Sequence, residues 1–160
     1  MTNKNKFSQE ERQAFYNAII NLDPEKVFVV ADKENDALSY TDKIKSYEKI
    51  TGTPRDEELT RALILLHLIK TYNHDHSTIE IENTFNIGGR REEKARAVET
   101  DICIKNKKDE IEVLCEVKRI HNFSGTDDPS IKKQLFHPYE NIVKFSKAKY
   151  LFHLVSCSTF

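Results

Sequence analysis

The sequence predicts an α/β domain in which a helix, three strands, a second helix and a fourth strand follow a helical N-terminal extension. Three observations carry this. An almost uniformly apolar segment over 59–69 follows clear helix-start residues. Between 78 and 117, three successive segments alternate apolar and polar residues with period two. A last apolar run over 150–155 closes the series.

Taken in order, Ser8 and Glu11 have the spacing of a capping box, and Phe15, Ile19 and Ile20 supply an apolar stripe behind them. Residues 27–31 form a short apolar run, expected to be a peripheral strand. Residues 39–50 read as a weak helix that Gly52 ends. A stronger helix follows, with Thr53 as its cap, Pro54 at its first position and Asp56, Glu57 and Glu58 at the positive end of its dipole. Its apolar interior is expected to be buried against a sheet. Residues 1–52 are accordingly assigned to an N-terminal extension and 53–160 to the core.

The first core strand spans 78–87, where Ile79, Ile81, Phe85 and Ile87 alternate and Asn83 breaks the pattern. Gly88 and Gly89 open a basic loop carrying Arg90, Arg91, Lys94 and Arg96. Over 98–105, Val98, Thr100, Ile102 and Ile104 share one face. A polar turn over 106–109 leads to Ile111, Val113, Cys115 and Val117, so this pair is expected to be a β-hairpin. Residues 128–146 look helical but contain Pro138, which kinks or splits the helix. The chain ends just past an apolar strand, and a piece of a longer protein is expected.

With 160 residues, 38% hydrophobic and 32% charged, the chain suits one domain with a heavily charged surface. No apolar run approaches the roughly 20 residues that span a bilayer, so no membrane association is expected. The polar residues 1–10 do not read as a secretory signal. Cys103, Cys115 and Cys157 are odd in number and lie in or near apolar stretches, as reduced core thiols of a cytoplasmic protein would. A net charge of −1 argues against coating nucleic acid by bulk electrostatics, while leaving room for a local phosphate grip.

The chemistry lies on the hairpin. Strand alternation puts Asp101 on the face opposite the apolar set, with Glu99 and Cys103. It puts Glu116 and Lys118 on the corresponding face of the next strand, with Leu114. Antiparallel pairing then brings two carboxylates and one ammonium together at a strand end. Hard Mg²⁺ takes one or two carboxylates and keeps waters, so Asp101 and Glu116 suit it, helped by the Val117 carbonyl. Lys118 would orient or deprotonate the attacking water and offset transition-state charge. A solvated sheet face would carry similar charges, and Glu92 and Lys94 repeat the Glu-x-Lys spacing in a loop.

Other features are weaker. His74, Asp75 and His76 read as a solvated loop, since two histidines without a third ligand make a poor metal site. His67 is expected to be a hydrogen-bonded core histidine, and His121, His137 and His153 form no relay by spacing. The basic loop and Lys132 and Lys133 are either solvated or phosphate-holding.

Together these residues resemble the N-terminal nuclease domain of type I restriction enzyme R subunits, a PD-(D/E)XK family also found fused to adenine-specific DNA methyltransferases. The likeness spans roughly 57–155. It rests on Glu58 and Arg61 in the helix, Glu82, Gly89-Arg90, Val98-Glu99-Thr100-Asp101-Ile102, Glu116-Val117-Lys118, Gln134-Leu135-Phe136 and Lys149-Tyr150-Leu151. The resemblance implies a restriction-endonuclease-like αβββαβ fold and Mg²⁺-dependent cleavage of DNA, with Mn²⁺ as a substitute metal. It implies that Asp101 and Glu116 are metal ligands, Lys118 the catalytic lysine, Glu58 (or its neighbour Glu57) an additional helix acid, and Gln134 a site-organising residue. The implied partners are DNA, modification and specificity subunits, or a fused motor or methyltransferase domain. The glutamine-tyrosine spacing departs from the family, because Tyr139 lies five residues past Gln134 with Pro138 between. The alternative is a catalytically inactive DNA-binding or subunit-interaction module of the same fold.

Overall fold

The computed structural model describes residues 7–87, 96–119 and 150–156 of the chain. Helix α1 (Gln9–Leu22) starts where the capping box sets it. The Ser8 hydroxyl accepts from the Glu11 N–H at 3.1 Å, and the Glu11 carboxylate accepts from the Ser8 N–H at 2.6 Å. Strands β1 (Val29–Asp32) and β2 (Ala37–Tyr40) then form an antiparallel hairpin. Its turn is held by Asp32, whose carboxylate accepts from the N–H groups of Glu34 and Asn35, and Asp36 closes it at φ +48°.

This hairpin corrects the weak helix expected over 39–50. Ser39 and Tyr40 extend a strand paired with β1, and Lys45–Ser46 forms a short strand β3. Thr41, Tyr40 and Ser39 have little helix preference, and a neighbouring strand offers their backbone groups a partner. The start of the next helix is also corrected. Helix α2 runs over Asp56–Leu66 with Arg55 at the cap, not Thr53 or Pro54. The Glu58 carboxylate reaches back to the Arg55 N–H, which satisfies a free donor of the first turn from inside the helix. The Pro54 carbonyl instead accepts from Arg12 at 2.9 Å. After Leu66 the helix widens into a π-turn over His67–Thr71.

The remaining strands fall close to the segments that the sequence marks. They are β4 (Ile79–Ile87), β5 (Arg96–Lys105), β6 (Ile111–Arg119) and β7 (Tyr150–Ser156). The sheet order is β3-β4-β5-β6-β7, with antiparallel pairs β4–β5 and β5–β6 and parallel pairs β3–β4 and β6–β7. The β5–β6 hairpin is as expected. Its turn is built on Asn106, whose side-chain oxygen accepts from the N–H groups of Lys108 and Glu110. A parallel pair needs a long crossover, and the residues between β6 and β7, 120–149, lie outside the described set, as does the helix expected over 128–146.

One apolar cluster joins these elements. Phe15, Tyr16 and Ile19 of α1 and Leu38 of β2 belong to it, as do Leu59, Ala62, Leu65 and Leu66 of α2. From the sheet it takes Ile79, Ile81, Ile102, Cys115 and Val117. Each fully buried Leu or Ile contributes about 1.5–3 kcal/mol of transfer free energy. Residues 7–52 therefore share the core of the rest and add β3 to the sheet edge. It is pinned polar to polar as well: Asp56 at the start of α2 accepts from the Phe7 N–H at 2.8 Å and from Arg12 at 2.6 Å. Among the described residues, no helix is long and apolar enough to cross a membrane.

His67 departs from the sequence expectation. It is exposed, with Nδ1 3.0 Å from the Thr71 hydroxyl, because the regular 3.6-residue period of α2 carries position 67 to the side opposite Leu59, Ala62, Leu65 and Leu66. The His74–His76 segment is a loop before β4, as expected: Asp75 caps a 3₁₀ turn and His76 lies against Phe28 at 5.2 Å. Cys103 and Cys115 are buried free thiols. Burial pushes both up to about 12, so neither is a thiolate at neutral pH. Cys157 lies outside the described residues.

Candidate functional site

The site forms where β5 and β6 part. Their register runs from Lys105–Ile111 through Cys103–Leu114 to Ile102–Cys115, and among the described residues it ends there. Past this point β5 stays paired with β4, and β6 stays paired with β7 as far as Arg119–Ser156. Asp101 and Glu116 are the next residues after the last pair, so they sit at facing positions where the fork opens. Both carboxylates add to the burial that raises the Cys115 thiol, which places them in one electrostatic neighbourhood. Glu116 is half-buried, and its register partner on β7 is His153.

A fork in a sheet leaves backbone donors without a ladder partner. Asp101 fills one such vacancy: its Oδ2 accepts from the Val117 N–H at 2.7 Å. Its Oδ1 accepts from Arg61, with Nε at 3.1 Å and Nη2 closer. The third guanidinium nitrogen, Nη1, donates to Oε1 of Glu82. Arg61 comes from the middle of α2, and its side chain is only 3% exposed. Burial works against its charge, but Asp101 and Glu82 outweigh that and hold it above its already high ordinary value.

Glu82 reaches Arg61 through a break in β4. The register passes from Ile81–Ile102 to Asn83–Thr100, and Glu82 between them has φ +52°, a left-handed conformation unusual for a non-glycine residue in a strand. Regular alternation would put Glu80 and Asn83 on opposite faces, yet the Asn83 amide donates to the Glu80 carboxylate. Burial raises the Glu82 carboxyl above its usual range, and Arg61 only partly counters it.

Glu58 lies one turn before Arg61 and is buried. Its carboxylate serves its own helix, accepting from the Arg55 N–H and from Arg55 Nε at 3.0 Å. Glu57 is half-buried on another face of the turn. Tyr40 of β2 completes the surroundings. Its hydroxyl is buried without a hydrogen-bond partner, and its titration is pushed up by burial against the opposing pull of Arg61. The N-terminal segment thus lines the site from one side.

Of the residues singled out in the sequence, the fold brings Asp101 and Glu116 to facing positions and places Glu58 within electrostatic range of the same group through Tyr40 and Glu82. Lys118 follows Glu116 by two residues on β6, and its side chain lies outside the described set. Gln134, the basic residues Arg90, Arg91 and Lys94, and Lys132 and Lys133 also lie outside it. Arg61 and Glu82 were present in the sequence only as parts of a resemblance, with no role assigned. The signal that locates Glu82 is strand pairing, since it stands opposite Asp101; Arg61 follows from its spacing of one helical turn from Glu58.

The donor set suits a hard divalent cation. Asp101 and Glu116 offer carboxylate oxygens at a fork, and Mg²⁺ needs only one or two of these beside water. Asp101 Oδ2 spends one lone pair on Val117, which leaves another. Among the described residues, no group of three or more His, Cys, Asp or Glu side chains is arranged to hold a metal. The cation against Asp101 is Arg61. No family model and no curated protein matches the chain.

Proposed function

We propose that this chain carries a Mg²⁺-dependent DNA endonuclease domain with a restriction-endonuclease-like αβββαβ core, acting in the cytoplasm within a restriction-modification system. The observation that carries the reading is that Asp101 and Glu116 occupy facing positions just past the last β5–β6 pair, with Lys118 two residues further along the same strand. The sheet order β4-β5-β6-β7, with antiparallel, antiparallel and parallel neighbours behind α2, supports it.

In this reading Asp101 and Glu116 hold Mg²⁺ (or Mn²⁺), with the Val117 carbonyl as a further oxygen donor. When bound, the metal makes water more acidic and offsets charge on the scissile phosphate. Asp101 is held at its station by Arg61 and Val117, so no rotamer freedom is lost when it is used. Lys118 takes the proton of the attacking water or stabilises the charge that develops on the phosphate. Gln134 would help order the site and the DNA. Glu58 would add negative charge from the helix. Modification and specificity subunits, or a fused motor or methyltransferase domain, are the partners such a domain would work with.

A second reading is favoured by one observation, the occupation of Asp101 by Arg61: an inactive DNA-binding or subunit-interaction module that keeps the fold. Cleavage of supercoiled and linear duplex DNA with Mg²⁺ or Mn²⁺ separates the two. Loss of cleavage in Asp101→Asn and Lys118→Ala, with DNA binding retained, is the expected result. DNA binding with no metal-dependent cleavage by the unaltered chain would establish the second reading.

A further inference from the structure

Asp101 and Glu82 are two carboxylates at facing positions of adjacent strands, with side-chain exposures of only 14% and 10%. Two such charges cannot stand together in a poorly hydrated setting without a cation between them. Arg61 is that cation. Its guanidinium divides its donors, giving Nε and Nη2 to Asp101 and Nη1 to Glu82.

The division is asymmetric in its consequences. If Asp101 Oδ1 is drawn toward a divalent ion, Arg61 does not become an unpaired buried charge, because Glu82 remains. A second cation, Arg55, stands 3.9 Å from the same Glu82 oxygen and can follow the change of charge. Glu82 keeps this station at the cost of a left-handed backbone, a strain of about 1–2 kcal/mol that regular strand pairing would not require. The buried Tyr40 hydroxyl sits in the same group and already interacts with Arg61.

We infer that Arg61 is an internal counter-cation that competes with the divalent metal for Asp101 and keeps the site's intrinsic metal affinity low, with Glu82 as the anchor that receives Arg61 when the metal binds. This rests on the reading of Asp101 as a metal ligand. Arg61 is a positioning residue, acting on the metal through Asp101. Removing its charge beside the carboxylates should tighten metal binding, by about tenfold for one unit charge a few ångströms away in a partly screened setting. A purely structural arginine would give the reverse, since its loss would only disorder Asp101.

The test is calorimetric titration of Mn²⁺ into the full chain for wild type, Arg61→Met, Arg61→Lys and the double variant Arg61→Met with Asp101→Asn. Arg61→Met is expected to bind more tightly than wild type, with Arg61→Lys, which keeps the charge, near wild type and binding lost in the double variant. Mn²⁺ should also raise the melting temperature of Arg61→Met by more than that of wild type. A folded Arg61→Met that binds Mn²⁺ no more tightly than wild type overturns the inference, while leaving the metal site intact if binding still needs Asp101. If Arg61→Met folds neither alone nor with Mn²⁺, the neutral variant Arg61→Gln decides, and wild-type affinity there overturns the inference. Absence of Mn²⁺ binding in every variant, wild type included, removes the metal site and the inference with it.

Discussion

Arg61 on α2 and Asp101 on β5 form a buried ion pair in which two guanidinium nitrogens meet one carboxylate oxygen, while the other oxygen accepts from the Val117 N–H on β6. One aspartate thereby ties the helix to both arms of the fork. Breaking a buried pair from one side leaves a charge uncompensated, which costs about 3–5 kcal/mol. Arg61→Met is expected to lose that much stability in urea titrations with chelator present. A loss under about 1 kcal/mol would mean that the pair is effectively solvated.

Catalysis offers the second prediction. Lys118→Ala should lower metal-dependent DNA cleavage by about 10²–10⁴-fold, the range for loss of a positioned proton-transfer group. Glu116→Gln should weaken Mn²⁺ binding and cleavage together. Chelation should abolish cleavage by the unaltered chain. Single-turnover assays on duplex DNA check all three, and unchanged rates in Lys118→Ala would remove it from the chemistry.

A pH-dependent term comes from Asp23. Its carboxylate is buried, yet accepts from the N–H groups of Val27 at 3.1 Å, Phe28 at 2.7 Å and Val29 at 3.0 Å, and Lys70 lies 3.4 Å away. Burial raises its titration, but these donors outweigh burial and hold it below the ordinary 3.8. A depressed folded value means that the stabilisation is present above 3.8 and is lost as pH falls through the folded value. Asp23→Asn should therefore cost about 1–3 kcal/mol at pH 7. The gap to wild type should close as the pH drops below 3.8. A gap that does not change between neutral and acid pH would show that the charge is irrelevant.

Tyr40 gives a prediction of the opposite sign. A buried hydroxyl with no hydrogen-bond partner carries a desolvation penalty and no return. Tyr40→Phe should leave stability unchanged or raise it by up to about 1 kcal/mol. A loss of more than that in thermal melts would reveal a bond from this hydroxyl to Arg61.

The packing prediction concerns Leu65, fully buried on α2 against the sheet. Leu65→Ala should cost about 2–5 kcal/mol through lost transfer energy and a residual cavity. Chemical denaturation measures it, and a smaller loss would indicate that the helix settles into the space.

Much of the frame was legible because it rests on local periodicity. The capping residues of α1, the alternation in β4, β5 and β6 and the polar Asn106 turn each act within a few residues, and each appears where the sequence puts it. Residues 39–50 depart from the expected helix because a weak local pattern lost to hairpin pairing with β1 and to the edge of β4, which is distant in the chain. His67 departs because the segment over 59–69 is apolar nearly all round, so its composition does not mark the face that α2 turns away from the core.

The sequence by itself determined which residues are carboxylates on the polar face of a hairpin, and so singled out Asp101 and Glu116. Side-chain period and hairpin pairing are short-range geometry, and that suffices to align them. Only the tertiary structure decided what Asp101 touches. Arg61 is 40 residues away along the chain and Glu82 stands on another strand, at a backbone conformation that its neighbours do not announce. Charge compensation in a buried site is settled by whichever opposite charge the packing delivers. That is a property of the assembled core and not of any segment within it.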